Sequence, residues 1–352
     1  MSTNWLIYGA NGYTARRIAK EAVARGLKPI LAGRNEASVG ELAKSLGLSY
    51  RIFSLDNVEV VKAGLKDVAL VLHCAGPFSE TTHPMLEACF ALGVHYLDIT
   101  GEIDVFEWAQ TQSEKAVSSG SVVIPGVGFD VVPSDCLAAS LAKALPGATT
   151  LELAWASDSL AFGPGTLKTA VKILPQGGKV RRDGKIVPDV LGGRTREIPF
   201  SHRKLWAVSI PWGDVSTAYH STKIPNITVF AAFPKKRMVL IKVMNPFRSV
   251  FRINAMQKLA EKGIERFAKG PDEKTWIHNK SYFWGEISDS KNHQKRGVLE
   301  CSEPYVLTVD CALKSVERVL ASKVKPGVWT PSQAFGASFI EEIPGSRLQI
   351  QQ

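Results

Sequence analysis

Short apolar runs alternate with helical stretches over the first 130 or so residues. Six runs predict strands: Trp5 to Tyr8, Pro29 to Ala32, Arg51 to Ser54, Ala69 to Cys74, His95 to Ile99 and Ser121 to Pro125. Between them, 15–25, 37–46, 84–92 and 106–117 carry helical composition. This alternation predicts β-α units on a parallel sheet, and strands so uniformly apolar are expected where helices cover both faces. After about Pro133 the texture changes. A helix over 137–145 and a strand over 150–155 lead into a Gly-, Pro- and base-rich stretch, 177–212. That stretch carries the hairpin signals Asp183-Gly184 and Gly192-Gly193. Further β-rich runs follow at 206–210 and 227–233, and 311–321 returns to a helical pattern. The expected fold class is α/β. A Rossmann-type, doubly wound parallel sheet spans residues 1–133, completed by C-terminal helices within 304–352. A second α+β substrate domain of mostly antiparallel sheet spans 134–303.

The length of 352 residues suits two domains, and 45% hydrophobic with 22% charged residues is ordinary globular usage. The net charge of +10 favours anionic partners such as a phosphorylated cofactor, an acyl thioester or an acidic membrane surface. Lys and Arg are scattered and no finger, homeodomain or RNA-binding signature occurs, so no nucleic-acid partner is expected. The five cysteines include no C-x-x-C pair and read as buried small hydrophobes of a reducing compartment. Met1-Ser2-Thr3-Asn4 leads directly into a strand without a leader pattern, and no run is long and apolar enough to span a bilayer. A cytoplasmic protein is expected.

Gly9-Ala10-Asn11-Gly12-Tyr13-Thr14-Ala15 follows the first strand and opens the first helix. Glycine permits backbone angles that a Cβ opposes, and it lets a pyrophosphate approach the main chain. The helix start then offers N–H groups and a positive dipole end to phosphate. Thr14 can add a hydroxyl, while Ala15 allows close helix–strand packing. The second strand ends Ala32-Gly33-Arg34-Asn35, with Arg34 where an NAD site carries an acid. Arg34 can fork onto a 2′-phosphate, with Arg16 or Arg17 assisting, so the expected cofactor is NADP(H). Asp56 is a candidate for the adenine amine or a helix N-cap.

Ligands of open parallel sheets bind beyond the strands' carboxyl ends. Ala75-Gly76-Pro77-Phe78 is expected beside the nicotinamide ribose, and Thr100 and Gly101 fall at the next strand end. Glu102, given a raised pKa, and Asp130, on the glycine-containing loop 126–135, are the candidate catalytic acids. Asp98 reads as a residue that satisfies loop amides. Ser134 and Asp135 read as helix caps, and His73 and His95 as packed strand residues. Metal-ligand spacing and a serine-hydrolase elbow are both lacking. Gly165 and Thr166, in a loop ahead of a helix predicted over 167–173, are candidate substrate contacts. The substrate is expected between that loop and the strand ends carrying Gly76, Phe78 and Glu102.

Tyr8 to Thr14, Tyr96 to Glu102 and Gly128 to Asp135 together resemble the saccharopine dehydrogenase-like oxidoreductases, which include bacterial trans-acting enoyl reductases. The likeness continues in Gly163-Pro164-Gly165-Thr166 and in Thr330 to Gly336. Ala15 stands for the family's common third glycine, Val131 for a small polar residue, and the glycine loop is closest in pattern to the enoyl-reductase-like branch. The resemblance implies a Rossmann domain completed by C-terminal helices, with an inserted substrate domain. The expected function is NADPH-dependent hydride transfer to a carbonyl, imine or enoyl group of a small molecule or acyl thioester, in a homo-oligomer. One alternative is a non-catalytic NADP(H)-binding regulator. Another is a membrane-peripheral protein, prompted by interleaved basic and apolar residues from Lys235 to Arg252; the structural alternative there is an ordinary strand and helix.

Overall fold

The computed structural model describes residues 4–159, 163–267 and 279–351. The chain begins with β1 (Trp5–Tyr8), α1 (Tyr13–Ala24), β2 (Ile30–Gly33), α2 (Glu36–Leu46), β3 (Tyr50–Ile52) and α3 (Val58–Gly64). Next come β4 (Leu70–His73), α4 (Phe78–Leu92), β5 (His95–Asp98), α5 (Ile103–Thr111), α6 (Ser113–Ser119) and β6 (Val122–Ile124). Then follow α7 (Val132–Ala144), β7 (Thr150–Ser157), α8 (Pro164–Ile173), β8 (Gly178–Arg182), β9 (Lys185–Asp189), β10 (Thr195–Pro199) and β11 (Lys204–Ser209). The middle part ends with α9 (Asp214–Thr222), β12 (Asn226–Ala232), α10 (Lys235–Met244), α11 (Asn254–Phe267), β13 (Lys280–Ser288) and β14 (Gln294–Ser302). The last elements are α12 (Pro304–Leu320), β15 (Gly327–Val328), α13 (Pro331–Phe335) and β16 (Arg347–Gln351). They form two compact units, Met1–Asp130 with Leu307–Phe335, and Val131–Val306 with Gly336–Gln352. The sequence reading placed all of 304–352 with the first domain; the tail from Gly336 belongs instead to the second unit.

In the first unit seven strands lie in the order β15-β6-β5-β4-β1-β2-β3, and every pair is parallel. Successive side chains of a strand face opposite sides. Ile7, Leu31, Leu72 and Leu97 pack against Ile18 of α1, Leu42 of α2 and Leu313 and Val316 of α12. Leu6, Tyr8, Val71 and Tyr96 pack on the other face against Val61 of α3 and Met85, Leu86 and Cys89 of α4. The sheet is therefore doubly wound, as its apolar strands require. Its last strand comes from the C-terminal part of the chain: β15 pairs Gly327 with Val122 and Val328 with Val123. An ion pair between Arg25 and Asp310 ties α1 to α12.

Two helix predictions change. The helix expected from Pro84 begins at Phe78 and carries Pro84 inside it. Proline there removes one backbone donor, but the helix buries Phe78, Thr82, Met85, Leu86, Ala88 and Cys89, an apolar face large enough to outweigh that loss. The single helix expected over 106–117 is two, with Gln112 ending α5 and starting α6.

The second unit is built on the strand order β10-β11-β12-β7-β13-β14-β16, with the β8–β9 hairpin attached to β12. β12 and β7 are parallel and the other pairs antiparallel. Asp183 and Gly184 turn that hairpin with both φ values positive, as a two-residue turn demands. Gly192-Gly193 does not: β9 pairs with β8 and β10 with β11, so no hairpin closes there. Gly285 and Gly297 sit opposite each other on β13 and β14. A Cβ on either would strike Leu141 or Leu137 of α7, so this glycine pair is what lets the helix settle on the sheet.

Gly163 to Thr166, expected as a loop, contributes the first turn of α8, whose N-cap is Gly163. Lys235–Met244, which the structural alternative read as a strand, is α10, followed by a 3-10 stretch over Asn245–Arg252. Lys, Arg, Met and Leu are good helix formers and no period-two alternation opposes them. All five cysteines are free, and four are buried. No helix among the described residues is long and apolar enough to cross a membrane.

Leu313 is fully buried between α12 and the parallel sheet. Leu313→Ala should therefore lower stability by about 2–5 kcal/mol in urea unfolding. A loss well under 1 kcal/mol would mean that the first unit does not rely on the C-terminal segment for its core.

Candidate active site

The loops at the carboxyl edge of the parallel sheet carry the predicted site residues from Gly9 to Asp130. Gly9 has φ +79°, and a Cβ there would lie 2.8 Å from the Ala75 Cβ and 2.9 Å from its backbone N. Only glycine fits. Its N–H and that of Ala10 both donate to the Ala32 carbonyl, at 2.8 and 3.0 Å, fixing the turn to β2. Gly12 has an ordinary φ of −69° and closes the turn by donating to the Gly9 carbonyl at 2.9 Å. A Cβ on Gly12 would lie 3.1 Å from the Gly9 carbonyl oxygen, so the tightness of the turn, not its backbone angle, leaves little room for a side chain. No side chain caps α1, and its first turn holds no acid, so the dipole end stays suited to an anion. Ala15 is buried and Thr14 half-buried. Arg16 donates to the Asn11 carbonyl, and the Arg17 guanidinium lies 4.0 Å from the Tyr13 ring centre.

Arg34 stands exposed one residue past β2. The Asn35 side chain accepts from the Ser38 N–H and caps α2. Asp56 is not a helix cap: Asn57, one residue on, accepts from the Glu59 N–H and caps α3. Arg34 and Asp56 both act electrostatically on the buried Tyr8 hydroxyl. Burial pushes Tyr8 up to about 12, Arg34 pulls it down and Asp56 raises it. That hydroxyl donates to the Phe53 carbonyl at 3.0 Å.

Ala75, Gly76 and Pro77 connect β4 to α4, with a cis bond between Gly76 and Pro77. Glu102, 7% exposed, accepts from the Phe78 N–H at 2.8 Å and the Ser79 N–H at 3.0 Å, one amide on each carboxylate oxygen. The expectation of Glu102 as proton donor therefore meets a different arrangement: its carboxylate caps α4 while its backbone starts α5. Thr100 Oγ1 accepts from the Glu102 N–H, and Asp130 packs its carboxylate over Gly101, where a Cβ would collide with it.

Asp98 behaves as the sequence suggested. One oxygen accepts from the Thr100 and Gly126 N–H groups at 2.9 and 2.8 Å, the other from the Tyr96 hydroxyl at 2.7 Å. Burial still pushes it up to about 6, and its three donors only partly oppose that. His73 is packed, as expected. Burial holds it neutral, down at about 3, with Nε2 2.9 Å from the Thr81 hydroxyl, which itself donates to the Ala75 carbonyl at 2.7 Å. Thr308 of α12 escaped sequence reasoning. Its hydroxyl accepts from the Phe129 N–H at 3.1 Å, and its methyl fills the space that a Cβ on Gly128 would need. Nothing local marks a residue so distant in sequence. In the second unit Gly165 and Thr166 are exposed on the first turn of α8, and the Gly163 N–H donates to the Tyr305 hydroxyl.

A doubly wound parallel sheet with a glycine turn, an uncapped helix start and an arginine past the second strand defines an NADP-binding oxidoreductase of Rossmann type. Residues 5–124 match the saccharopine dehydrogenase NADP binding domain. A probable mitochondrial saccharopine dehydrogenase-like oxidoreductase of Arabidopsis thaliana is 24% identical, over 96% of this chain and 93% of its own. A Mycobacterium tuberculosis protein provisionally named a trans-acting enoyl reductase is 27% identical, over 37% of this chain and 33% of its own. Mammalian saccharopine dehydrogenase-like oxidoreductases align over only 56 or 57% of their length. Apo saccharopine dehydrogenase (L-Glu forming) of Saccharomyces cerevisiae superposes over 99% of this chain and all of its own, with a TM-score of 0.67 at 10% identity, a likeness of fold. Residues 5–124 thus match a saccharopine dehydrogenase NADP binding domain, and the chain as a whole is similar to saccharopine dehydrogenase-like oxidoreductases.

Glu102→Ala would leave two buried amides without their acceptor and should cost about 1–3 kcal/mol in urea unfolding, with Glu102→Gln milder because its oxygen still accepts. Equal stability of all three proteins would remove the capping role. Titration supplies a second check. The folded His73 value lies below its ordinary 6.5, so its contribution is present above pH 6.5 and lost as pH falls toward 3. The folded Asp98 value lies above its ordinary 3.8, so its contribution grows as pH falls from about 6 to 4. The stability of the wild type relative to His73→Asn should therefore drop by about 1.4 kcal/mol per pH unit below 6.5, and relative to Asp98→Asn it should rise below 6. Unfolding curves from pH 4 to 7 that show the same slope for both variants would contradict these assignments.

Proposed function

We propose that this chain is an NADPH-dependent reductase acting on a carbonyl, imine or enoyl group of a small molecule or acyl thioester. The observation that carries the cofactor half of this reading is Arg34, exposed past β2 where an NAD site holds a carboxylate. When bound, NADPH supplies a hydride from its nicotinamide ring. Gly9, Asn11, Gly12 and the first turn of α1, with Tyr13 and Thr14, would receive the pyrophosphate, and Arg34 the 2′-phosphate. Asp56 and the Asn35 backbone would border the adenosine. Ala75 to Phe78, with Thr100 and Gly101, would line the nicotinamide end.

Asp130 is the candidate proton donor, and its place over Gly101 at that strand end supports this. Glu102 acts as a positioning residue, since it fixes Phe78 and Ser79. Gly165 and Thr166, exposed on an uncapped helix start, suit a carboxylate or thioester oxygen of the substrate. The capped Glu102 also favours a second reading, an NADP(H)-binding regulator without turnover.

Arg34→Ala should weaken NADPH by about 1–3 kcal/mol and leave NADH nearly unchanged. Calorimetry showing equal losses would sink the assignment. Gly12→Val should abolish NADPH binding in a folded protein, because its side chain would occupy the phosphate position. Turnover on a panel of enoyl, imine and keto compounds then separates the two readings. Asp130→Asn losing turnover with NADPH affinity retained supports the reductase, and NADPH binding without oxidation by any of the panel supports the regulator.

A further inference from the structure

The stretch 235–267 of the second unit exposes a concentration of apolar side chains. On α10, Met238 is buried and Ile241 half-buried, whereas Val239, Leu240 and Val243 are exposed. At about 100° per residue, those three occupy the side of the helix opposite Met238 and Ile241. Phe247, 60% exposed, Val250 and Ile253 follow at a spacing of three. In a 3-10 helix that spacing stacks side chains in one row. Leu259 of α11 is 64% exposed. Seven of the fifteen large hydrophobic side chains exposed among the described residues thus fall within one-tenth of the chain.

Polar side chains of the same stretch make local contacts. Lys242 Nζ reaches the Thr195 hydroxyl at 2.9 Å. Arg248 donates to Asn245 Oδ1 at 3.1 Å, and its guanidinium occupies the space beside Gly177 that a Cβ would need. Gln257 Nε2 donates to the Phe251 carbonyl. The segment therefore presents a row of apolar side chains to the outside in addition to the apolar pair it buries.

Charge decides what covers it. Residues 235–267 hold nine Lys or Arg against two Glu, +7 of the chain's +10, and none of residues 235–260 is Asp or Glu. Lys235, Lys236 and Arg237 open α10, directly beside the outward Val239 and Leu240. Apolar side chains interleaved with an excess of basic ones match a bilayer interface, where the former enter the acyl boundary and the latter face anionic headgroups. We propose that 235–259 docks this protein, without crossing, on an anionic lipid surface. This inference is independent of the reductase reading.

The test uses the full chain sedimented with vesicles of phosphatidylcholine alone or of equal phosphatidylcholine and phosphatidylserine. Binding is expected on the anionic vesicles, falling as salt rises from about 0.1 to 0.5 M, and little on the neutral ones. The double variant Phe247→Glu with Val250→Glu, and separately Lys235→Glu with Lys236→Glu, should each weaken binding at least about 10-fold. NADPH affinity, read in parallel on every variant, should stay at the wild-type value and so report intact protein. Absence of binding to anionic vesicles, equal binding to both compositions, or variants that bind like the wild type would each overturn the proposal. So would an oligomer that the Phe247→Glu variant dissociates in the absence of vesicle binding, since the face would then be an interface between copies of this chain.

Discussion

Two buried carboxylates hold the ligand-binding edge of the first unit together. Asp98 joins the end of β5 to the loop after β6 through the Thr100 and Gly126 amides. Glu102 joins the loop after β5 to the start of α4 through the Phe78 and Ser79 amides. Loops are otherwise the least constrained parts of a fold, and a site built from several of them is only as ordered as the bonds between them. Here three successive strand ends are stitched by charge-accepting hydrogen bonds in a dry setting, where each such bond is stronger and its loss costs more. Without that stitching, the β4, β5 and β6 ends would carry the same residues in no fixed relation.

The same burial sets the charges that an anionic ligand meets. Tyr8 stays protonated and His73 stays neutral beneath the edge, each because ionising in a packed interior is unfavourable. The Arg34 side chain is instead in water just past β2, where its charge costs little to keep. A neutral polar floor with cations and uncapped amides above it directs the local field outward, toward a phosphate.

Much of the first unit was legible because its signals are local. Six strands, the glycine turn and Arg34 are each written within a few residues, and the period of apolar positions fixes which face each strand presents. The packed His73 and the loop-binding Asp98 were legible for the same reason. Residues defined by distant partners were not. Glu102 looks like an acid at a strand end until Phe78 and Ser79 are seen to donate to it, 24 and 23 residues away in sequence. Thr308 reaches Phe129 from 179 residues away, and β15 joins β6 from the far end of the chain. Pro84 misled for a different reason: proline is common at helix starts, but α4 carries it inside because its buried face and its capped N-terminus together offset the missing donor. The second unit was harder throughout, since its antiparallel sheet draws on strands scattered from Thr150 to Gln351.

Assigning Glu102 to structure changes how chemistry can be divided over this fold. Each Glu102 oxygen accepts one buried amide, and removal of either acceptor would leave that N–H unpaired. The edge between β4 and β5 is thereby committed to orientation: it fixes Phe78 and holds the backbone around Gly76 and Gly101. In the proposed reductase, proton delivery would fall to a group whose position is set by that frame. Asp130 meets that condition, since Gly101 has no side chain and the carboxylate rests directly on its backbone. A residue larger than glycine at 101 would push that carboxylate away while leaving the Asp98 and Glu102 bonds intact, so geometry at this point can be altered without dismantling the edge. In the proposed reading, the groups that hold the loops would thus be distinct from the group that moves a proton.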